Sequence, residues 1–522
     1  MLPRHACHYS MNYRVEVSVR ILGWALASSL LLLGAGSPAH AQTSADAAVD
    51  PLARFTNQQV NWQPCAASTF CARVTVPLTY QDPDGPTIEL SVRTTVASGK
   101  QAPDSGAEFL FINPGGPGAS ATDFVTYFAS LVSPEVRAKF NIIGVDPRGV
   151  GDSTPVECMT GAQTSTWLRT NPTPQTPTEQ RRFMNAAARI APGCLRMSPA
   201  IAPHVGTEQA VRDFDVIRAA LGQPRMNWFG YSYGTQLGTA YAELFPNSVG
   251  LMVLDGAVDP ALNAMEISRD QSRGFQSALR RYARDCAERK CALGRTPAAV
   301  LGSINQLLRN LDKRPLPVNA GPKLVRAEAI TAVFFGMYSP DLWNPLTQAL
   351  IQARRGDGTA LAQLAAAATD RIGPSTYASN LNSAFLAINC WDLPATPDKQ
   401  GLADSARAWS TGAAVPALAQ AMWWLNAPCS TWFGHSELLP TPVQSSTQAP
   451  ILIVGTRFDP ATPYDWAEAL HASLPTSALL TFEGDGHTAY GAGSRCIDAQ
   501  VEQYLLNAAL PADGATCPNP RG

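Results

Sequence analysis

Seven strand-length segments stand out along this chain, and several are almost unbroken apolar runs: EFLFI from Glu108, FNIIGV from Phe140, LMVLDGA from Leu251 and ILIVGT from Ile451. A strand with one wet face alternates apolar and polar residues, so an unbroken run implies a strand covered on both faces. The other three are SVRTTVA from Ser91, MNWFGYS from Met226 and SALLTFEG from Ser477. Helix-like stretches separate them. This βαβ rhythm predicts an α/β protein with a mostly parallel central sheet and helices on both faces.

The rhythm breaks between Asp259 and Pro450, where about 190 residues carry helical patterns such as RDQSRGFQSALRRYARDCAERK and no strong strand. Residues 259–449 are therefore expected to be an inserted helical domain. It divides a core made of residues 42–258 and 450–522. Residues 1–41 read as an export leader: Arg4, Arg14 and Arg20 precede the run ILGWALASSLLLLGAG, and Ala39-His40-Ala41 offers a small-x-small cleavage site. The run is short of the roughly 20 residues that span a bilayer, so a secreted or periplasmic chain cleaved near Ala41, with no stable membrane span, is expected. Ten of the eleven cysteines follow the leader. In an exported chain their spacing suggests local disulfides: Cys65–Cys71, Cys158–Cys194, Cys286–Cys291, Cys390–Cys429 and Cys496–Cys517. They form no CxxC-type cluster with histidine, so no metal is implied. A formal charge of −2 with no long basic run argues against a nucleic-acid partner.

Gly230-Tyr231-Ser232-Tyr233-Gly234 follows one predicted strand and opens a predicted helix. A serine hydroxyl attacks poorly at its free pKa. It needs a fixed, exposed position, a base and an anion site, and a tight strand-to-helix turn supplies the first of these. Ser232 is the candidate nucleophile. The segment NPGGPGAS from Asn113 also follows a strand, and its adjacent glycines expose backbone N–H groups. The N–H groups of Gly116 and Tyr233 are the expected donors to an oxyanion. The segment lacks both the GKS/GKT ending and the GxGxxG spacing of nucleotide loops, so no cofactor is implied. Four histidines follow the leader: His204, His435, His471 and His487. In the hydrolase order Ser, acid, His, the base comes last, which selects His487 on the turn EGDGHTAYG. Asp459, just past the strand ILIVGTRF, is the expected acid and Asp255 its rival.

With Ser232, the NPGGPG loop, Asp459 and His487 in place, the chain resembles the secreted tripeptidyl aminopeptidases of the proline-iminopeptidase-like branch of α/β-hydrolase serine peptidases. NPGGPGAS is similar to that branch's HGGPG-type loop, with Pro114 where many relatives have His, and FNIIGVDPRGVGDS is similar to its DxRGxG segment. The resemblance implies an α/β-hydrolase fold, a cap formed by residues near 260–450, and a peptide substrate with a free N-terminus. Within the DxRGxG-like segment, Asp146 and Arg148 are expected to form a buried Asp–Arg brace rather than to act in catalysis. A cap carboxylate could bind the substrate's α-ammonium, and Asp392 is the candidate. Trp343, Trp423, Trp424 and Trp432 are candidate subsite walls. An esterase or amidase acting on small molecules is the alternative, since a triad does not fix the acyl group.

Overall fold

The computed structural model describes residues 50–520 apart from 67, 104–105, 394–398 and 439; the expected leader, residues 1–41, lies outside them. Among the described residues ten strands form one sheet: β1 (Gln63–Ala66), β2 (Thr69–Pro77), β3 (Thr87–Thr95), β4 (Glu108–Asn113), β5 (Phe140–Val145), β6 (Met226–Tyr231), β7 (Val249–Asp255), β8 (Ile451–Phe458), β9 (Ser477–Asp485) and β10 (Ala515–Pro518). Their order is β1-β2-β3-β5-β4-β6-β7-β8-β9-β10. Pairing is antiparallel from β1 to β5 and parallel from β5 through to β10. This is the α/β-hydrolase arrangement.

The unbroken apolar runs are explained by where successive residues go. Phe111, Ile143, Trp228, Leu254 and Ile453 pack on one face with Phe214, Leu237 and Leu470, from the helices Thr207–Ala220, Tyr233–Leu244 and Tyr464–Ser473. Their neighbours Leu110, Ile142, Phe229, Val253 and Leu452 pack on the other face with Val125, Phe128 and Val501, from the helices Ala121–Leu131 and Arg495–Asn507. Each such side chain, fully buried, contributes about 1.5–3 kcal/mol, so neither face can spare its apolar residues. All seven expected strands are present. The three that sequence patterning missed, β1, β2 and β10, lie towards the two edges of the sheet, where β2 carries Arg73 among its apolar residues and β1 and β10 have only four residues each. All five expected disulfides are formed; Cys65–Cys71 joins β1 to β2, and Cys496–Cys517 ties β10 to the helix Arg495–Asn507.

Between β7 and β8 the described residues contain helices and no strand. Leu279, Tyr282, Val300, Val333 and Leu346 build a second core there, apart from the sheet. Two features refine the sequence picture. The helix Leu381–Asp392 belongs to this segment, yet Ala384, Leu386 and Ile388 pack in the core of the sheet domain. Conversely, Phe183 and Ala187, from a helical excursion between β5 and β6, pack against Ala403, Ala406, Trp423 and Trp424 of the insert. The helical layer is thus drawn from two separate stretches of chain. Among the described residues no helix is long and apolar enough to cross a membrane.

Candidate active site

β6 ends at Tyr231, and Ser232 turns the chain at φ 54°, ψ −121° before the helix Tyr233–Leu244 begins. A non-glycine residue at positive φ costs about 1–3 kcal/mol and persists only where its surroundings dictate it. Here they do: the Ser232 N–H donates to the Asp255 carbonyl at 2.9 Å, and the Ser232 carbonyl accepts from the Thr235 hydroxyl at 2.6 Å. The flanking glycines are steric requirements. A Cβ on Gly230 would overlap the Gly234 carbonyl, and one on Gly234 would sit 2.8 Å from the Asn113 carbonyl oxygen.

The loop after β4 runs against this turn. A Cβ on Gly115 would lie 2.6 Å from the Tyr231 carbonyl oxygen and 2.9 Å from Ser232 Cβ. Asn113 Oδ1 accepts the Gly115 N–H at 2.9 Å and so shapes the loop, a role that sequence reasoning did not assign. Gly116 follows at φ 113°, before a cis Gly116–Pro117 bond. Tyr233 is the first residue of its helix, so its N–H has no partner within the helix and stands at the positive end of the helix dipole.

Asp459 follows β8, and its carboxylate is fully buried. His487 Nδ1 lies 3.0 Å from each carboxylate oxygen. The N–H groups of Ala461 and Thr462 donate to Oδ1, both at 2.8 Å, while the Thr462 hydroxyl and the Thr488 N–H donate to Oδ2. A carboxylate can only accept, so Nδ1 carries the proton and Nε2 is left as the basic nitrogen. Burial opposes charge on the imidazole. The Asp459 carboxylate outweighs it by charge and hydrogen bond, with a further contribution from Asp255, and holds His487 above its ordinary value.

The imidazole stands beside the turn: a Cβ on Gly256, one residue past Asp255, would be 3.3 Å from His487 Cε1. Among the hydrogen bonds of the described residues none joins Ser232 Oγ to His487, a contact that commonly tightens only with substrate bound. Asp255, the rival acid, is fully buried and points elsewhere. It accepts the N–H groups of Ala489 and Tyr490 at 2.8–3.0 Å, bracing the backbone just beyond the histidine, and burial pushes its carboxyl up to about 7.

The insert reaches this site directly. The His487 N–H donates to the Tyr338 carbonyl at 2.8 Å, the Tyr338 ring meets the imidazole edge to face at 5.3 Å, and Arg281 pairs with Asp485. Gln271 donates to the Ala461 carbonyl at 2.8 Å, beside the acid. No local pattern marks these contacts, which join residues far apart in the chain. A cavity of about 850 Å³ opens at His487, with Pro114 and Tyr231 beside the serine turn, Phe124 and Trp343 as apolar wall, and Arg284 and Glu288 as charged wall.

Other expectations are corrected. Asp146 and Arg148 do not pair with each other. Asp146 accepts from Ser120, Thr122 and Asp152 and fixes the start of the helix after the Gly-rich loop, whereas Arg148 pairs with Asp213 at 2.6 Å and donates to the Pro77 and Leu78 carbonyls. Asp392 is 1% exposed, bonded to Thr207, and absent from the cavity wall. A carboxylate with both oxygens turned inward cannot meet a substrate amine. Of the four tryptophans, Trp343 lines the cavity; Trp423 and Trp424 are packed in the helical layer, and Trp432 stacks on Phe433.

The family described as "TAP-like protein" matches residues 415–517, the stretch that carries Asp459 and His487. The chain is 33% identical over 482 residues to the serine protease Hip1 of Mycobacterium tuberculosis, covering 88% of this chain and 91% of that one. It is 33% identical over 487 residues to the tripeptidyl aminopeptidase of Streptomyces lividans, covering 89% and 88%. It is also 35% identical over 525 residues to a Mycobacterium tuberculosis protein named carboxylesterase B, covering 95% and 98%.

Proposed function

The chain belongs to the tripeptidyl aminopeptidase family of α/β-hydrolase serine peptidases, and on that premise we propose that it is an exported exopeptidase that cleaves short peptide units from a free N-terminus. His487 Nε2 takes the proton of the Ser232 hydroxyl as Oγ attacks the scissile carbonyl. The N–H groups of Gly116 and Tyr233 hold the oxyanion, an interaction typically worth about 3–4 kcal/mol per donor. As the tetrahedral intermediate collapses, the imidazolium gives its proton to the departing amine. Water, activated by the same nitrogen, then hydrolyses the acyl-enzyme. Asp459 keeps the tautomer and stabilises the imidazolium throughout. The observation that carries this reading is the bidentate hold of Asp459 on His487 Nδ1 beside the Ser232 turn.

Residues 259–449 act as the cap, which supplies the Trp343 and Glu288 walls of the cavity. Export through the leader 1–41 accords with five disulfides in the described chain. The relative named carboxylesterase B favours a second reading, an esterase using the same triad. Hydrolysis of paired tripeptide amides differing only in N-acetylation, beside a short-chain ester and with Ser232→Ala as control, separates the two. Cleavage of the free tripeptide but not of its acetylated twin is the expected result. Turnover of the ester alone would transfer the assignment to the esterase.

A further inference from the structure

The carboxylate of Asp392 lies at one end of a buried chain of hydrogen bonds that ends beside the nucleophile. Thr207 donates its N–H to Oδ1 at 3.0 Å and its hydroxyl to Oδ2 at 2.6 Å, and the same hydroxyl lies 2.6 Å from the Tyr233 phenol. Thr207 opens the helix Thr207–Ala220, whose N-cap, Gly206, has no side chain to accept the first N–H groups. Asp392 supplies that acceptor from the insert. It is the last residue of the helix Leu381–Asp392, which the Cys390–Cys429 disulfide anchors.

The chain has a direction. A threonine hydroxyl has one proton, so while it donates to an ionised Asp392 it can only accept from Tyr233. The Tyr233 phenol is then fixed as a donor, its ring orientation is set, and the residue whose backbone N–H faces the oxyanion is held at its side-chain end. We propose, resting on Ser232 as nucleophile and Tyr233 as oxyanion donor, that Asp392 is a positioning residue of the insert that acts through Thr207 to hold Tyr233 in place for catalysis.

Protonation of Asp392 breaks the direction of the chain, since a neutral carboxyl can itself donate to Thr207. Burial pushes this carboxyl up to about 7; the hydrogen bonds from Thr207 pull it down and the charge of Glu208 adds to the rise. The other titratable group in contact is the Tyr233 phenol, which burial holds well above its ordinary value and therefore protonated. Activity accordingly depends on Asp392 ionisation in addition to that of His487.

The test uses the full chain lacking its leader, with a tripeptide p-nitroanilide for kcat and KM and p-nitrophenyl acetate for acylation without amine recognition. Asp392→Asn and Thr207→Val are expected to lower kcat about tenfold on both substrates, with KM within about twofold, because a donor shifted by a fraction of an ångström loses transition-state binding. Thr207→Ser, which keeps the hydroxyl, restores the rate. Tyr233→Phe, lacking only the phenolic oxygen, shares the loss and decides the matter if Asp392→Asn does not fold. The wild type shows a step in kcat near pH 7 superposed on the histidine limb, and Asp392→Asn lacks the step. Folded Asp392→Asn and Tyr233→Phe proteins with wild-type kcat and an unchanged pH profile would overturn the proposal. So would a rise in KM alone, which would mean that Asp392 shapes the substrate site indirectly and does not hold the oxyanion donor. Failure of the underlying reading is distinct: Ser232→Ala would then still hydrolyse the acetate ester.

Discussion

The backbone N–H of His487 donates to the carbonyl of Tyr338 at 2.8 Å, so the candidate general base is held in place by a residue of the helical insert. The contact is reinforced on both sides. Arg281, from the long helix Ala264–Glu288, pairs with Asp485 two residues before the histidine, and its guanidinium lies 3.6 Å from the ring centroid of Phe458, the residue before Asp459. The insert therefore packs directly against the loops that carry Asp459 and His487.

Arg281→Ala should accordingly impair catalysis without touching the triad. It leaves the largely buried Asp485 carboxylate without its cation and frees the loop that carries His487. A fall in kcat of about tenfold is expected, with a lowered melting temperature. Steady-state kinetics and thermal unfolding check this; an unchanged kcat would mean that the Tyr338 contact alone holds the loop.

The pH dependence has a definite sign. His487 must be neutral to accept a proton, and its pKa in the fold is raised, so kcat/KM should fall on the acid side with an apparent pKa above about 6.5. By linkage, the same pair stabilises the fold most fully below about pH 6.5 and loses that contribution as pH rises through the folded pKa. Asp459→Asn removes the charge that raises the pKa; the limb should move to lower pH and kcat should drop by about 10⁴. A limb that stays in place in this variant would assign the ring's partner to another carboxylate.

Asp255→Ala separates a bracing carboxylate from a catalytic one. It leaves the buried N–H groups of Ala489 and Tyr490 without their acceptor. The expected cost is roughly 2–4 kcal/mol in urea unfolding, accompanied by a fall in kcat smaller than that of Asp459→Asn. Equal losses in the two variants would contradict this division of roles.

Gly115→Ala tests the contact between the oxyanion loop and the serine turn. The added Cβ meets the Tyr231 carbonyl and Ser232 Cβ, backbone and a short side chain that cannot swing aside. The loop must move, carrying the Gly116 N–H with it. A displacement of about 1 Å is expected to lower kcat about a hundredfold, read against an unchanged circular dichroism spectrum. A variant with wild-type kcat would show that the loop yields elsewhere and that the Gly116 N–H is not held by this contact.

The α/β sheet and its two covered faces were legible in the sequence because they follow from local facts. Almost unbroken apolar runs need cover on both sides, and the four segments that carry them form β4, β5, β7 and β8. The serine turn was legible because its glycines mark a tight strand-to-helix turn: Gly230 is required by the Gly234 carbonyl of the same pentapeptide, although Gly234 itself is required by the distant Asn113. The disulfides followed from spacing in the chain. Strand β2, second from the edge, escaped because Arg73 and Thr75 alternate with the buried Ala72, Val74 and Val76, so its apolar residues form no unbroken run.

What local patterning could not supply was the partner of each polar group. Asp392 read as an available carboxylate and proved to be spent on Thr207; Asp146 and Arg148 read as a pair and proved to serve different elements. Tyr338 and Arg281 gave no signal at all, and Asn113 marked only the start of the Gly-rich segment and not its own role, although each touches the loops around Ser232 and His487. Apolar burial is non-directional and leaves a periodic trace along the chain. A hydrogen bond or ion pair depends on ångström-scale placement of groups brought together from distant segments, and only the folded chain decides which groups those are.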